Sequence, residues 1–105
     1  LRTKLSNLDR QAEAIILSQK LLKKSVSSAH IFRMLSPPGK DYTKLWDVVR
    51  RARRRANRKY KIFLTYESLI PREFLAHWII EGVLPIEHFE KILFLLIEYR
   101  NTCFA

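Results

Sequence analysis

Leu45 to Tyr60 reads LWDVVRRARRRANRKY. Leu45, Val48, Val49, Ala52 and Ala56 recur at three- and four-residue intervals, the spacing that puts side chains on one face of an α-helix. Arg50, Arg51, Arg53, Arg54, Arg55, Arg58 and Lys59 occupy most of the positions between and after them. A helix with its aliphatic stripe turned inward and its guanidinium groups outward accommodates both sets. Asp41 or Thr43 offers a side-chain oxygen to cap it, so the helix is expected from there to about Tyr60. The next stretch, Lys61 to Tyr66, has aromatic and branched residues that suit a strand as well as a helix, and we read it as helical.

Toward the amino terminus, Leu5, Leu8, Ala12, Ile15, Ile16 and Leu22 follow the same periodicity, with Asp9, Arg10, Glu13 and Lys20 between them. This predicts an amphipathic helix over Leu5 to Leu22. Ser25 to Ser28 interrupt it, and Ser27 or Ser28 can cap a second short helix carrying Ala29, Ile31, Phe32 and Leu35. Ser36, Pro37, Pro38 and Gly39 end that element, because proline removes a backbone donor and disfavours helix at the residue before it. The break reads as a loop inside one domain.

Toward the carboxy terminus, Pro71 fits the first position of a helix through Ile80 that Gly82 closes. Pro85 fits the same position in a last helix through Tyr99 or Arg100. These elements predict an all-α fold, a single-domain bundle of about five helices spanning residues 1–105. Pro71 and Pro85 would start two packed helices with Trp78 and Phe89 between them. Phe94, Leu95 and Tyr99 widen the last helix's apolar sector beyond one stripe, which predicts an oligomer or partner contact there.

Charge divides the chain in two. Residues 1–60 hold sixteen Lys/Arg against four Asp/Glu, net +12; residues 61–105 hold four against six, net −2; together these give the formal +10 of the 105-residue chain. A basic half and a nearly neutral, apolar half imply two faces with different tasks. Arg50, Arg54 and Arg58 line up one turn apart, with Arg51 and Arg55 beside them, and acidic residues are scarce nearby in sequence. Such a face repels itself unless an anion is present, and guanidinium matches phosphate through two parallel hydrogen bonds. Nucleic acid is therefore the expected partner, the run itself not telling DNA from RNA, with an acidic protein as the rival.

Several other classes are set aside. A single cysteine, Cys103, can build neither a disulfide framework nor a zinc site, and it suggests a cytoplasmic, reducing setting. The longest apolar run, Ile92 to Ile97, is too short to span a bilayer, so no membrane association is expected. The sequence lacks a Gly-rich phosphate loop, a nucleophile elbow and a carboxylate pair at working distance. Glu87 and Glu90 flank His88 without forming an acid–base constellation. His77 and His88 lack further ligands at metal spacing. No catalysis, cofactor, metal or small-molecule substrate is expected.

Two stretches resemble known families. Leu64 to Ile97, LTYESLIPREFLAHWIIEGVLPIEHFEKILFLLI, resembles the central part of Cro/CI-type helix-turn-helix domains. Leu69-Ile70-Pro71 falls on the turn, and Trp78, Gly82, Pro85 and the Phe89, Ile92, Leu93, Leu96 stripe follow in the family's order. The resemblance implies that Arg72, Glu73, Ala76 and His77 face the DNA major groove, with Arg72 and His77 as site residues. The turn lacks the usual Gly, and Thr65 stands where a small Ala is usual. Ile16 to Leu35, ILSQKLLKKSVSSAHIFRML, resembles the opening of FlhD-type transcriptional activators through Leu17, Gln19, Leu21, Ala29, Phe32 and Arg33. That resemblance implies a dimerising helical protein acting on DNA with a companion subunit. The combined expectation is a DNA-binding transcriptional regulator subunit. It would hold phosphates with Arg50, Arg51, Arg53, Arg54, Arg55, Arg58 and Lys59 and assemble through its last helix. The competing reading is a small helical RNA-binding subunit of a ribonucleoprotein complex.

Overall fold

The computed structural model describes residues 6–25, 27–35, 42–65 and 70–104, and among them all regular structure is helical. The order is α1 (Asn7–Leu21), α2 (Ser28–Leu35), α3 (Tyr42–Thr65), α4 (Arg72–Ile80), a 3-10 turn (Ile86–His88) and α5 (Phe89–Phe104). Leu5, the Ser36 to Gly39 break, Asp41, Tyr66 and Leu69 lie outside the described residues. No helix among the described residues is long and apolar enough to cross a membrane.

Helix α1 is the hub, packing on α3, α4, α2 and the 3-10 turn. Its buried sector is wider than an amphipathic stripe: Ala12, Ile15, Ile16, Leu17 and Leu21 are buried, and so are Glu13 and Ser18. Leu22, expected inside, is exposed. Ala12 on α1 and Ala52 and Ala56 on α3 are completely buried, and small side chains at a crossing let two helix backbones approach closely. Ser18 Oγ donates to the Ala14 carbonyl at 2.6 Å and lies 3.4 Å from the Ala76 carbonyl, a polar tie between α1 and α4.

The expected stripe of α3 is buried in full, from Leu45 to Ala56, and the helix runs on to Thr65. Residues 61–65, whose composition suited a strand equally, are drawn into the helix because Phe63 then falls on the core face, where it is fully buried. On α2, Ile31 and Leu35 are buried while Ala29 is exposed. Ser27 caps that helix, its Oγ accepting from the His30 N–H at 3.2 Å.

The two proline starts each differ slightly from expectation. Pro71 sits just before α4, in extended backbone, and Pro85 precedes the 3-10 turn, so α5 begins at Phe89. Phe89 is fully buried, but Trp78 is only half-buried: it packs against the core and lines a surface cleft.

The ends of α1 and α4 solve one problem with different residues. Gly82, with φ +76°, closes α4 and donates to the Ile79 carbonyl at 3.2 Å. Lys23, with φ 58°, closes α1: its N–H donates to Lys20 O at 3.0 Å and that of Lys24 to Gln19 O at 2.8 Å. This is a Schellman ending with a lysine in the left-handed position that glycine occupies without steric cost. Lys23→Gly is therefore expected to raise stability by about 0.5–1 kcal/mol, the steric relief exceeding glycine's larger unfolded-state entropy. A urea midpoint that is unchanged or lower would refute the strain at Lys23.

Candidate nucleic-acid interface

The arginine-rich helix is built with its cations sorted onto different sides, and carboxylates on other helices do the sorting. Ser6 caps α1: the Asp9 N–H donates to Ser6 Oγ at 3.1 Å, and the Ser6 hydroxyl donates to Asp9 Oδ2 at 2.7 Å. Asp9 and, one turn later, Glu13 then face α3. Arg51 lies 3.6 Å from Asp9 Oδ1, while Arg55 donates through Nε to Glu13 Oε1 and through Nη2 to the Asp9 carbonyl at 3.2 Å. Lys59 Nζ donates to Glu13 Oε2. The Glu13 side chain is 0% exposed and that of Lys59 8%. Arg55 and Lys59, expected on the cationic surface, are thus committed to the α1–α3 interface as the two counter-charges of a buried carboxylate.

The Asp9 carboxyl is shaped by opposing effects. Partial burial pushes its pKa up, and this is outweighed by the side-chain and backbone hydrogen bonds with Ser6 and by the charges of Arg51 and Arg55, leaving it below the ordinary 3.8. The folded value is the depressed one, so its contribution to stability is complete above about pH 4. It is lost as pH falls through the lower, folded value. Asp9→Asn should flatten the acid limb of a stability–pH curve below pH 4; an unchanged limb would remove Asp9 from that role.

Arg50 pairs with Asp47 on its own helix, and Arg58 lies 4.0 Å from Glu90 of α5 with both side chains more than half exposed, contacts of little strength in water. Arg54 is exposed. Arg53 donates to Ser28 Oγ at 3.2 Å, which sets its guanidinium at the junction of α2 and α3. Trp46 is 57% exposed, its ring meeting Phe32 edge-on at 4.9 Å.

Three adjoining concavities run along this side. Ser28, Trp46, Arg50, Arg53, Arg54 and Asn57 are among the residues lining the first. The second shares Arg53 and adds Gln19, Lys20, Lys24 and Ser25; the third shares Lys24 and Ser25 and adds His30 and Arg33. Among the described residues, no Asp or Glu lines any of them. The result is a continuous basic surface from Arg33 to Arg54 that the carboxylates of α1 do not reach. Lys20, Lys24, His30, Arg33 and Trp46 were not singled out by sequence. The available signal was the cluster Lys20, Lys23 and Lys24 at the end of α1, together with a tryptophan on the polar side of α3, one turn before Arg50.

Arg72 and His77 lie elsewhere. The Arg72 guanidinium sits 5.9 Å from the Tyr60 ring centre and 5.5 Å from that of Phe63, and Nη1 donates to the Tyr60 hydroxyl at 3.3 Å. Arg72 thereby secures the start of α4 on the end of α3. His77 is exposed, with Nε2 3.1 Å from Glu81 one turn on. Leu64 and Thr65, the start of the helix-turn-helix-like stretch, close the 24-residue α3, and residues 66–69 lie outside the described residues. Helix α4 packs chiefly on α1.

A second surface is apolar. Ile70, Pro71, Phe74, Trp78, Leu96, Tyr99 and Arg100 line a cleft of about 480 Å³ between α4 and α5. Phe74, Phe94, Leu95 and Tyr99 are all more than half exposed, while Phe89, Leu93 and Ile97 hold the other side of α5 in the core. Comparison with protein-family models, curated proteins and solved structures found no match.

Proposed function

We propose that this chain is a nucleic-acid-binding subunit that holds the phosphate backbone on the outer side of α3 and the adjoining α1–α2 corner, and assembles through the face formed by α4 and α5. The supporting observation is the run of cation-lined concavities on this side. After Asp9 and Glu13 have engaged Arg51, Arg55 and Lys59, and Asp47 has paired with Arg50, the concavities that gather cations from α1, α2 and α3 have, among the described residues, no carboxylate on their walls. A regular polyanion is attracted to such a surface and releases its own condensed ions on binding. Regulation of transcription on duplex DNA is the form of this function that the FlhD-type and Cro/CI-type resemblances favour.

Trp46 favours a second reading. An exposed indole beside arginines is a platform on which an unpaired base can stack, as in proteins that hold single strands. Salt titrations with labelled duplex DNA, single-stranded DNA and RNA of one sequence separate the two. Tightest binding to the duplex, with a steep salt slope, is expected for the regulator. Equal or tighter binding to RNA replaces it with a ribonucleoprotein subunit, and no binding to any of the three leaves an acidic protein as the partner.

The assembly partner that fits the α4–α5 face is a second copy. This face belongs to the half of the chain with net charge −2, so two copies can meet there while their +12 halves stay apart. Phe94→Glu is expected to weaken the dimer about 30-fold, the effect of removing one central aromatic anchor of roughly 2 kcal/mol. Sedimentation equilibrium reads this directly, and a wild-type chain that stays monomeric at high concentration would exclude self-association.

A further inference from the structure

The middle concavity of the basic surface is the smallest of the three. It encloses about 120 Å³, has the buried Ile16 of α1 among its lining residues, and is walled by Gln19, Lys20, Lys24, Ser25 and Arg53. Three cationic residues from three parts of the chain, the last full turn of α1, the residues just after it and the middle of α3, therefore share one small space. Among the described residues, no carboxylate lines it. Two of them are held in place: Lys20 by the Tyr60 ring, 5.5 Å from Nζ, and Arg53 by Ser28.

We propose that this pit is a phosphomonoester site and, resting on the nucleic-acid reading above, that the monoester it takes is the terminal phosphate of a strand. An internal phosphodiester is flanked by sugars on both sides and needs an open trough, such as the outer side of α3 presents. A small pit backed by a buried isoleucine admits only a group at the end of a chain. A terminal phosphate is dianionic near neutral pH and offers three acceptor oxygens. That matches three cationic donors better than the single charge of a diester does, and Ser25 and Gln19 supply neutral hydrogen-bonding groups beside them.

The test uses the full chain and two oligonucleotides identical except for a 5′-phosphate or a 5′-hydroxyl, with inorganic phosphate as a separate probe followed by calorimetry. The phosphorylated strand is expected to bind about tenfold more tightly. Lys24→Ala, at an exposed position, should abolish that preference, so that the two strands bind this variant with equal affinity. Inorganic phosphate should bind wild type and compete away the preference. If inorganic phosphate binds and neither strand does, the pit stands and the nucleic-acid reading falls. If both strands bind equally and inorganic phosphate does not bind, the pit is overturned and the nucleic-acid reading survives. A preference that persists in both Lys24→Ala and Lys20→Ala also overturns it.

Discussion

Glu13→Ala is expected to destabilise the protein by about 3–5 kcal/mol, a large part of the 5–15 kcal/mol that separates a typical domain from its unfolded state. The carboxylate is completely buried and holds both Arg55 and Lys59. Its removal leaves an ammonium group, with a side chain only 8% exposed, facing a void without a counter-charge. The cost comes from the orphaned cations more than from the lost pair. Replacing all three residues together by apolar side chains, for example Glu13→Met with Arg55→Met and Lys59→Leu, should therefore recover most of the loss. Urea unfolding followed by circular dichroism measures each variant. A Glu13→Ala cost below about 1 kcal/mol, or a triple variant as unstable as the single one, would contradict the buried-charge account.

The second large effect concerns binding and falls on different arginines of the same helix. Arg50→Ala with Arg54→Ala should lower the salt slope of nucleic-acid binding by about two, since each lost phosphate contact removes about 0.9. Extrapolated to 0.15 M salt, that corresponds to roughly a 30-fold loss of affinity. Both side chains are exposed, so stability should change by no more than about 0.5 kcal/mol. Arg55→Ala should show the reverse pattern, a large stability loss with a salt slope unchanged in the protein that remains folded. Equal effects of both sets on the slope would mean that the helix binds as an undivided cationic rod, and the assignment of Arg55 and Lys59 to the α1–α3 interface would fail.

That division marks where sequence reading stops. Helical periodicity is local, so the stripes of α3 and α5 and the cap of α2 could be read from neighbouring residues, and the all-α class followed. The fate of Arg55 and Lys59 depends on a glutamate 42 and 46 positions away. In the sequence Glu13 looked like one polar residue among the charged positions of an amphipathic helix; only packing α1 at the centre of the bundle turns it inward. Phe63 illustrates the same limit, because a strand and a helix both expose their period in KIFLTY and tertiary burial decides between them. Arg72 was drawn into a recognition role by the order of residues around it, whereas its guanidinium lies over Tyr60 and Phe63. The corner formed by Lys20, Lys24, His30 and Arg33 was obscured for a related reason: its members belong to α1, α2 and the turn between them, and they become one surface only when that turn folds α2 back toward α3.

The placement of the two tryptophans gives the molecule a separate optical reporter on each of its surfaces. Trp46 stands on the basic side of α3, and Trp78 lines the cleft between α4 and α5. Intrinsic emission in a protein with only these two indoles is a sum of two local environments. Converting either one to phenylalanine leaves a single emitter that senses one surface and is silent about the other. Occupancy of the cationic side and pairing of protomers then become spectrally separable events in unlabelled protein.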